Sequence, residues 1–213
     1  MRRYLTEFIG TLFFVLTIGL VVTPGHETPL APLAIGSVLM VLVYMGGHVS
    51  GGHYNPAVTF AVYLRGKLPA RDVAPYLAAQ LLGATAGAYL SYIFLDRTFA
   101  PAPGLVATPV TALLIEILYT FLLALTVLNV ATSKNTQGNS FYGLAIGFVI
   151  VIAAFAGGPI SGGVFNPAIG TGAILINALC GDGTLGHLWL YLVGPLTGGA
   201  LAAAVFKVQE GVE

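Results

Sequence analysis

Charge is what this sequence has least of: Asp, Glu, Lys and Arg together make up 8% of its 213 residues, eight acids against eight bases, with a formal net charge of zero. A soluble surface carries interspersed charges over about a quarter to a third of its residues. With a mean hydropathy of +0.91, this chain is expected to turn most of its surface to lipid. The lack of a basic excess, with no basic cluster interleaved with aromatics, removes the electrostatic footprint that a nucleic-acid partner needs. A single cysteine, Cys180, excludes an intrachain disulfide. No Cys/His cluster with ligand spacing occurs, so neither a metal nor another cofactor is expected. There is also no HExxH segment, nucleophile–base pair or carboxylate dyad placed to work together, so no enzyme is expected.

What is present is a series of apolar runs, at Leu5–Val22, Pro32–Gly47, Asp72–Leu95, Thr111–Val130, Phe141–Gly157 and His187–Phe206. A bilayer core of roughly 30 Å takes about 20 mostly apolar residues per helix, so these six runs read as six spans. The first follows Met1-Arg2-Arg3 but is long for a signal-peptide core and lacks a small-x-small cleavage site, so it reads as a transmembrane helix. Two shorter apolar stretches begin at Asn55-Pro56 and Asn166-Pro167. Neither can cross alone, so both are expected to be re-entrant, with proline at the first helical position, where its missing N–H costs nothing. Between the runs lie turn formers such as Thr23-Pro24-Gly25, Pro101-Ala102-Pro103-Gly104 and Lys134 to Asn139. The expected fold is an all-α membrane protein of six transmembrane helices and two re-entrant half-helices, forming one domain over residues 1–213.

The chain repeats itself. Leu33-Ala34-Ile35-Gly36 matches Leu144-Ala145-Ile146-Gly147, Ser50-Gly51-Gly52 matches Ser161-Gly162-Gly163, and Asn55-Pro56-Ala57 matches Asn166-Pro167-Ala168, all at one offset, 144 − 33 = 111. Glu7 with Thr11 is echoed by Glu116 with Thr120, and Tyr76, Gln80 and Gly83 by Tyr191, Pro195 and Gly198. Each half, about 1–96 and 110–208, holds three crossings, an odd number. The second half therefore enters from the opposite face, and the repeats are inverted about an axis in the membrane plane. With both termini cytoplasmic, Arg2, Arg3, Arg65, Lys67, Arg71, Lys134 and Lys207 all fall inside and only Arg97 outside, as the positive-inside rule favours. A multi-pass protein of the plasma (cell inner) membrane is expected.

Inverted repeats with broken helices place their functional site where the broken segments meet, here at the two Asn-Pro-Ala turns. Each half-helix starts at its turn, so two positive dipole ends converge at mid-membrane and repel cations. Irregular backbone at that depth must line protein or water, which suits a pore walled by Gly51, Gly52, Gly162 and Gly163, with His53 beside them. Asn55 and Asn166 can hold partner backbone and still aim an amide donor at a passing molecule. His48 and His53 flank the first Ser-Gly-Gly; His53 is expected to line the pore and His48 to brace the loop, with pH gating as the sharper alternative. Gly83, Gly87, Gly198 and Gly199, with Ala84, Ala88 and Ala202, form small-residue faces for close helix packing.

Through Ser50-Gly51-Gly52-His53-Tyr54-Asn55-Pro56-Ala57-Val58-Thr59 and the segment Ser161 to Ala168, the chain resembles the aquaporin, or major intrinsic protein, family. The resemblance implies a right-handed six-helix bundle with a pore in every subunit, a homotetramer in the membrane lipid, and Glu7 and Glu116 bracing re-entrant backbone rather than relaying protons. It also implies a constriction at Ile35, Ala154, Gly163 and Ile169. The family almost always has arginine where this chain has Ile169, which removes a polar contact and a fixed positive charge. Arg97 is the candidate to reach the entrance and replace it. Markers of glycerol-conducting members are absent at Gly170, Tyr191 and Leu192. The function expected is a passive channel for water or other small uncharged solutes that excludes ions. The alternative is a wide-filter channel for ammonia, hydrogen peroxide or small polyols, and an ion-coupled transporter ranks behind both.

Overall fold

The computed structural model describes residues 1–211; the end of the expected domain, Val212 and Glu213, lies outside the described residues. Eight α-helices follow in order: α1 (Arg2–Val22), α2 (Ala31–Ser50), α3 (Pro56–Leu64), α4 (Ala70–Leu95), α5 (Pro109–Thr132), α6 (Tyr142–Ser161), α7 (Pro167–Cys180) and α8 (Leu188–Glu210). One 3-10 turn, Lys134–Thr136, joins α5 to α6. Six of these are long and apolar enough to cross a membrane. The other two, α3 with nine residues and α7 with 14, are short: at 1.5 Å per residue they reach about 14 and 21 Å, less than a bilayer core.

The long helices run past the hydropathy-based ends because polar and small residues still satisfy the helix where apolar content falls. Thus α1 begins at Arg2 rather than Leu5, and α8 continues to Glu210 rather than Phe206. On α2 and α6 the extra turn is functional: it carries Ser50 and Ser161 to the re-entrant loops. Both helices stop at a glycine in the left-handed region, Gly51 at φ 93° and Gly162 at φ 92°. That conformation is costly for any residue with a Cβ.

Packing follows the repeat. α1 lies along α4 and α5 along α8, while α2 and α6 meet each other between the halves. The α1–α4 and α5–α8 seams use the small-residue faces: Gly83 and Gly87 lie against the backbone of Phe8 and Leu12, and Gly198 against that of Ile117 and Phe121. Where α2 crosses α6, Gly36 and Gly147 face each other reciprocally. A methyl on Gly36 would stand 2.5 Å from the Gly147 carbonyl oxygen, and one on Gly147 would stand 2.6 Å from the Gly36 oxygen. Tyr44 on α2 and Tyr142 on α6 join the same crossing. Their rings meet edge to face at 5.1 Å, and the Tyr44 hydroxyl donates to Ser140 O and accepts from Leu144 N.

Gly36→Leu or Gly147→Leu is expected to lower the thermal unfolding midpoint in detergent, since overpacking a tight seam costs about 1–3 kcal/mol. Gly158→Ala, whose added methyl meets nothing within 4 Å, is expected to leave it unchanged. Equal midpoints for all three variants would contradict this crossing.

Candidate functional site

Five residues lead from each long helix into its half-helix, 51–55 and 162–166, and the buried N–H groups among them need acceptors. Glu7 on α1 takes up the first loop: Oε1 accepts from Ser50 Oγ at 2.6 Å and His53 N at 3.0 Å, and Oε2 accepts from Tyr54 N at 2.7 Å and Gln80 Nε2 at 2.8 Å. Glu116 on α5 does the same for the second, accepting from Ser161 Oγ at 2.7 Å, Val164 N at 3.0 Å and Phe165 N at 2.6 Å. Both carboxylates are fully buried. The only salt bridge among the described residues, Arg3 to Asp72, is elsewhere. Each carboxylate is thus held by N–H and O–H donors alone.

Tyr54 and Phe165 adopt positive φ, 47° and 51°, a conformation that costs a residue with a side chain about 1 kcal/mol or more. The reason is visible in their two polar groups. Each N–H points to its own repeat's glutamate, while each carbonyl points across to the opposite half-helix. Asn55 Nδ2 donates to Phe165 O, and Asn166 Nδ2 donates to Tyr54 O, both at 2.9 Å. Each asparagine also caps its own helix, Oδ1 accepting from Ala57 N at 2.8 Å and from Ala168 N at 2.9 Å. An amide nitrogen carries two hydrogens. One is committed across the interface, and the second remains for the cavity that both asparagines line.

Pro56 and Pro167 open the half-helices, and the fully buried Ala57 and Ala168 follow them against the bundle. The roles of Tyr54 and Phe165 were missed in the sequence, although they share the repeat offset, 165 − 54 = 111. So were those of Tyr76 and Tyr191, whose hydroxyls donate to Ser50 O at 2.7 Å and Ser161 O at 2.6 Å and satisfy the last carbonyls of α2 and α6.

Two cavities meet at these turns. The apolar one, about 590 Å³, takes in Ile35, Ala154, Gly163, Ile169, Gly52, Gly162, His53, Asn55 and Asn166. None of its lining residues among those described is Asp, Glu, Lys or Arg. The basic one, about 790 Å³, opens on the side of the chain termini and takes in Arg3, His48, Gly51, His53, Lys67 and Lys134. Gly51 therefore belongs to the basic cavity alone, while Gly52 and Gly162 belong to the apolar one. His48 departs from expectation: it is exposed in the basic cavity, and no hydrogen bond ties it to the loop among the described residues, because Ser50 and Glu7 already hold the N–H groups it would have reached. Arg97 also departs. Its Nη1 donates to Pro24 O at 3.4 Å in a shallow surface pocket, outside the lining of the apolar cavity, so it does not stand in for the missing arginine.

The Major intrinsic protein family model matches residues 1–206. The glycerol uptake facilitator protein-like 6 of Lactiplantibacillus plantarum is 35% identical over 98% of both chains. Nodulin-26 of Glycine max is 33% identical over 98% of this chain and 78% of its own length. The solved aquaglyceroporin from Plasmodium falciparum superposes with a TM-score of 0.85 at 21% identity, covering 97% of this chain and 95% of that one. The chain belongs to the major intrinsic protein family. It is an integral multi-pass membrane protein with the aquaporin fold and a passive channel for water or small solutes.

Glu7→Gln and Glu116→Gln each place an NH2 group against backbone donors. Each buried N–H left without an acceptor costs about 1–3 kcal/mol. Both variants are expected to unfold at lower temperature in detergent, with reduced permeability at temperatures where they remain folded. An unmoved midpoint for either would remove its bracing role.

Proposed function

We propose that the two cavities form one conduit for small uncharged molecules, water first, with Ile35, Ala154, Gly163 and Ile169 as its selectivity filter. The observation that carries this is the convergence of these four residues on the same uncharged cavity as the free amide hydrogens of Asn55 and Asn166. A permeant oxygen that accepts from both amides is turned so that a chain of hydrogen-bonded protons is interrupted. Pro56, Pro167, Ala57 and Ala168 set the tips from which the amides project. Gly51, Gly52, Gly162 and Gly163 let backbone carbonyls reach the lumen.

Cations are repelled by two facing half-helix N-termini and, on the termini side, by a mouth whose charged lining residues are Arg3, Lys67 and Lys134. Residues 1–213 act as one channel domain built from repeats at about 1–96 and 110–208. The termini lie in the cytoplasm, on the side of the seven basic residues. The assembly is a homotetramer in the lipid of the plasma (cell inner) membrane, with one conduit per subunit, and the chain has no enzymatic activity and needs no cofactor or metal.

A second reading is favoured by one feature of the filter. Ala154 and Gly163 leave it wide, and Ile35 with Ile169 leaves it without a donor, so ammonia, hydrogen peroxide and small polyols compete with water. The relationship to a protein named for glycerol uptake supports the polyol branch.

Stopped-flow light scattering of reconstituted protein with water, glycerol, urea and ammonia separates these readings. Ile169→Arg is expected to reduce passage of the larger solutes by about tenfold relative to water, a barrier increase of about 1.4 kcal/mol. Identical discrimination by wild type and variant would take Ile169 out of the filter. Uptake that saturates and follows a second gradient would replace the channel by a transporter.

A further inference from the structure

Among the described residues the two cavities share only three lining residues, His53, Val127 and Ile146, so traffic between them passes this ring. The same ring exists in the other repeat. Val127 corresponds to Ile18 at the α1/α5 offset (116 − 7 = 109), and Ile146 and His53 correspond to Ile35 and Val164 at the loop offset of 111. Ile18, Ile35 and Val164 all line the apolar cavity. Of six equivalent positions, five are aliphatic and one is a histidine.

That histidine is held by a chain of hydrogen bonds that the second repeat lacks. Gln80 Nε2 must be the nitrogen end of its amide, because it donates to the Glu7 carboxylate at 2.8 Å; the same nitrogen donates to Thr59 Oγ1, also at 2.8 Å. Thr59 Oγ1 lies 3.0 Å from Asn55 O and 3.1 Å from His53 Nδ1. A hydroxyl has one proton and two lone pairs. Gln80 takes one lone pair. If the proton went to Nδ1, Thr59 Oγ1 and Asn55 O would face each other at 3.0 Å with no hydrogen between them. If the proton goes to Asn55 O, the remaining lone pair accepts Nδ1–H, and all three contacts are satisfied. The ring is also packed against Tyr76, centroids 5.2 Å apart. His53 Nε2 has no hydrogen-bond partner among the described residues. In the second repeat Gly170 stands for Thr59, Pro195 for Gln80 and Val164 for His53, so no such chain can form.

We infer that Gln80 and Thr59 are positioning residues that hold His53 as its Nδ1–H tautomer, so that a bare Nε2 acceptor stands in the shared ring and selects permeants able to donate a hydrogen. This rests on the reading that permeants pass between the two cavities. A molecule there accepts from Asn55 and donates to His53, and each aliphatic residue of the ring offers neither. Water, ammonia and polyols meet both demands. A solute of similar size with acceptors only meets one of them.

The test has two arms. In wild-type protein in lipid, with nitrogen-15 imidazole labels and His53 assigned by difference from His53→Asn, solid-state NMR reads the tautomer directly, whether or not anything permeates. The expected signature is a protonated Nδ1 and an unprotonated Nε2. A protonated Nε2 with bare Nδ1 overturns the inference while leaving the conduit reading untouched. In the second arm, Thr59→Val is expected to lose the signature and lower water permeability about threefold, Thr59→Ser to restore both, and Gln80→Leu to behave as Thr59→Val does. His53→Phe is expected to lower water permeability as far as the double variant Thr59→Val/His53→Phe does. Losses that multiply in the double variant, or a Thr59→Val that keeps wild-type permeability, would also overturn the inference. Loss of all permeability in wild type, with the expected tautomer present, would instead strike the conduit reading.

Discussion

Everything at the centre of this molecule depends on finding acceptors for backbone N–H groups buried between helices. A loop that enters a bilayer and turns back exposes successive peptide donors to hydrocarbon, each costing several kcal/mol if left alone. Glu7 and Glu116 meet that demand from neighbouring helices, each accepting two consecutive loop N–H groups and a serine hydroxyl. A carboxylate is suited to this because it accepts through two oxygens and donates nothing. Burial of these two acids is therefore a consequence of the loops, and the usual suspicion that an intramembrane carboxylate moves protons has a simpler answer here.

With the donors satisfied, the carbonyls of Tyr54 and Phe165 become free to point the other way. The reciprocal asparagine contacts use that freedom. Neither loop is complete by itself: the cap of one half-helix closes on the backbone of the other. The two repeats are thereby joined at the midplane by main-chain geometry as well as by the Gly36–Gly147 crossing of α2 and α6. Pseudo-symmetry holds for backbone and fails for side chains, as at His53 against Val164 and at Gln80 against Pro195.

Much of this was legible in the residues themselves. The offset of 111 located both turns and the apolar runs gave the six long helices, because each is a property of spacing and hydropathy. Glu7 and Glu116 were legible as a pair because they recur in register, and their bracing role only through the family resemblance. Helix ends were less so: hydropathy falls off before the helix does, and the last turns of α2 and α6 carry serine and glycine. Tyr54 and Phe165 share the offset but not the residue type, and what matters in them is backbone direction, which a side-chain pattern does not encode. His48 and Arg97 were misplaced for a related reason. Both sit near the right loops in sequence, yet the rotation of α2 turns His48 into an open vestibule, and the loop after α4 carries Arg97 to a surface pocket.

The mutual capping of Asn55 and Asn166 has a kinetic meaning. Two turns that each complete the other cannot separate without stranding four buried polar groups, so the midpoint of the passage does not rock between faces. A barrier that stays in place offers no cycle in which a second gradient could be harvested, and it cannot rectify: flow reverses whenever the solute's own concentration difference or osmotic difference does.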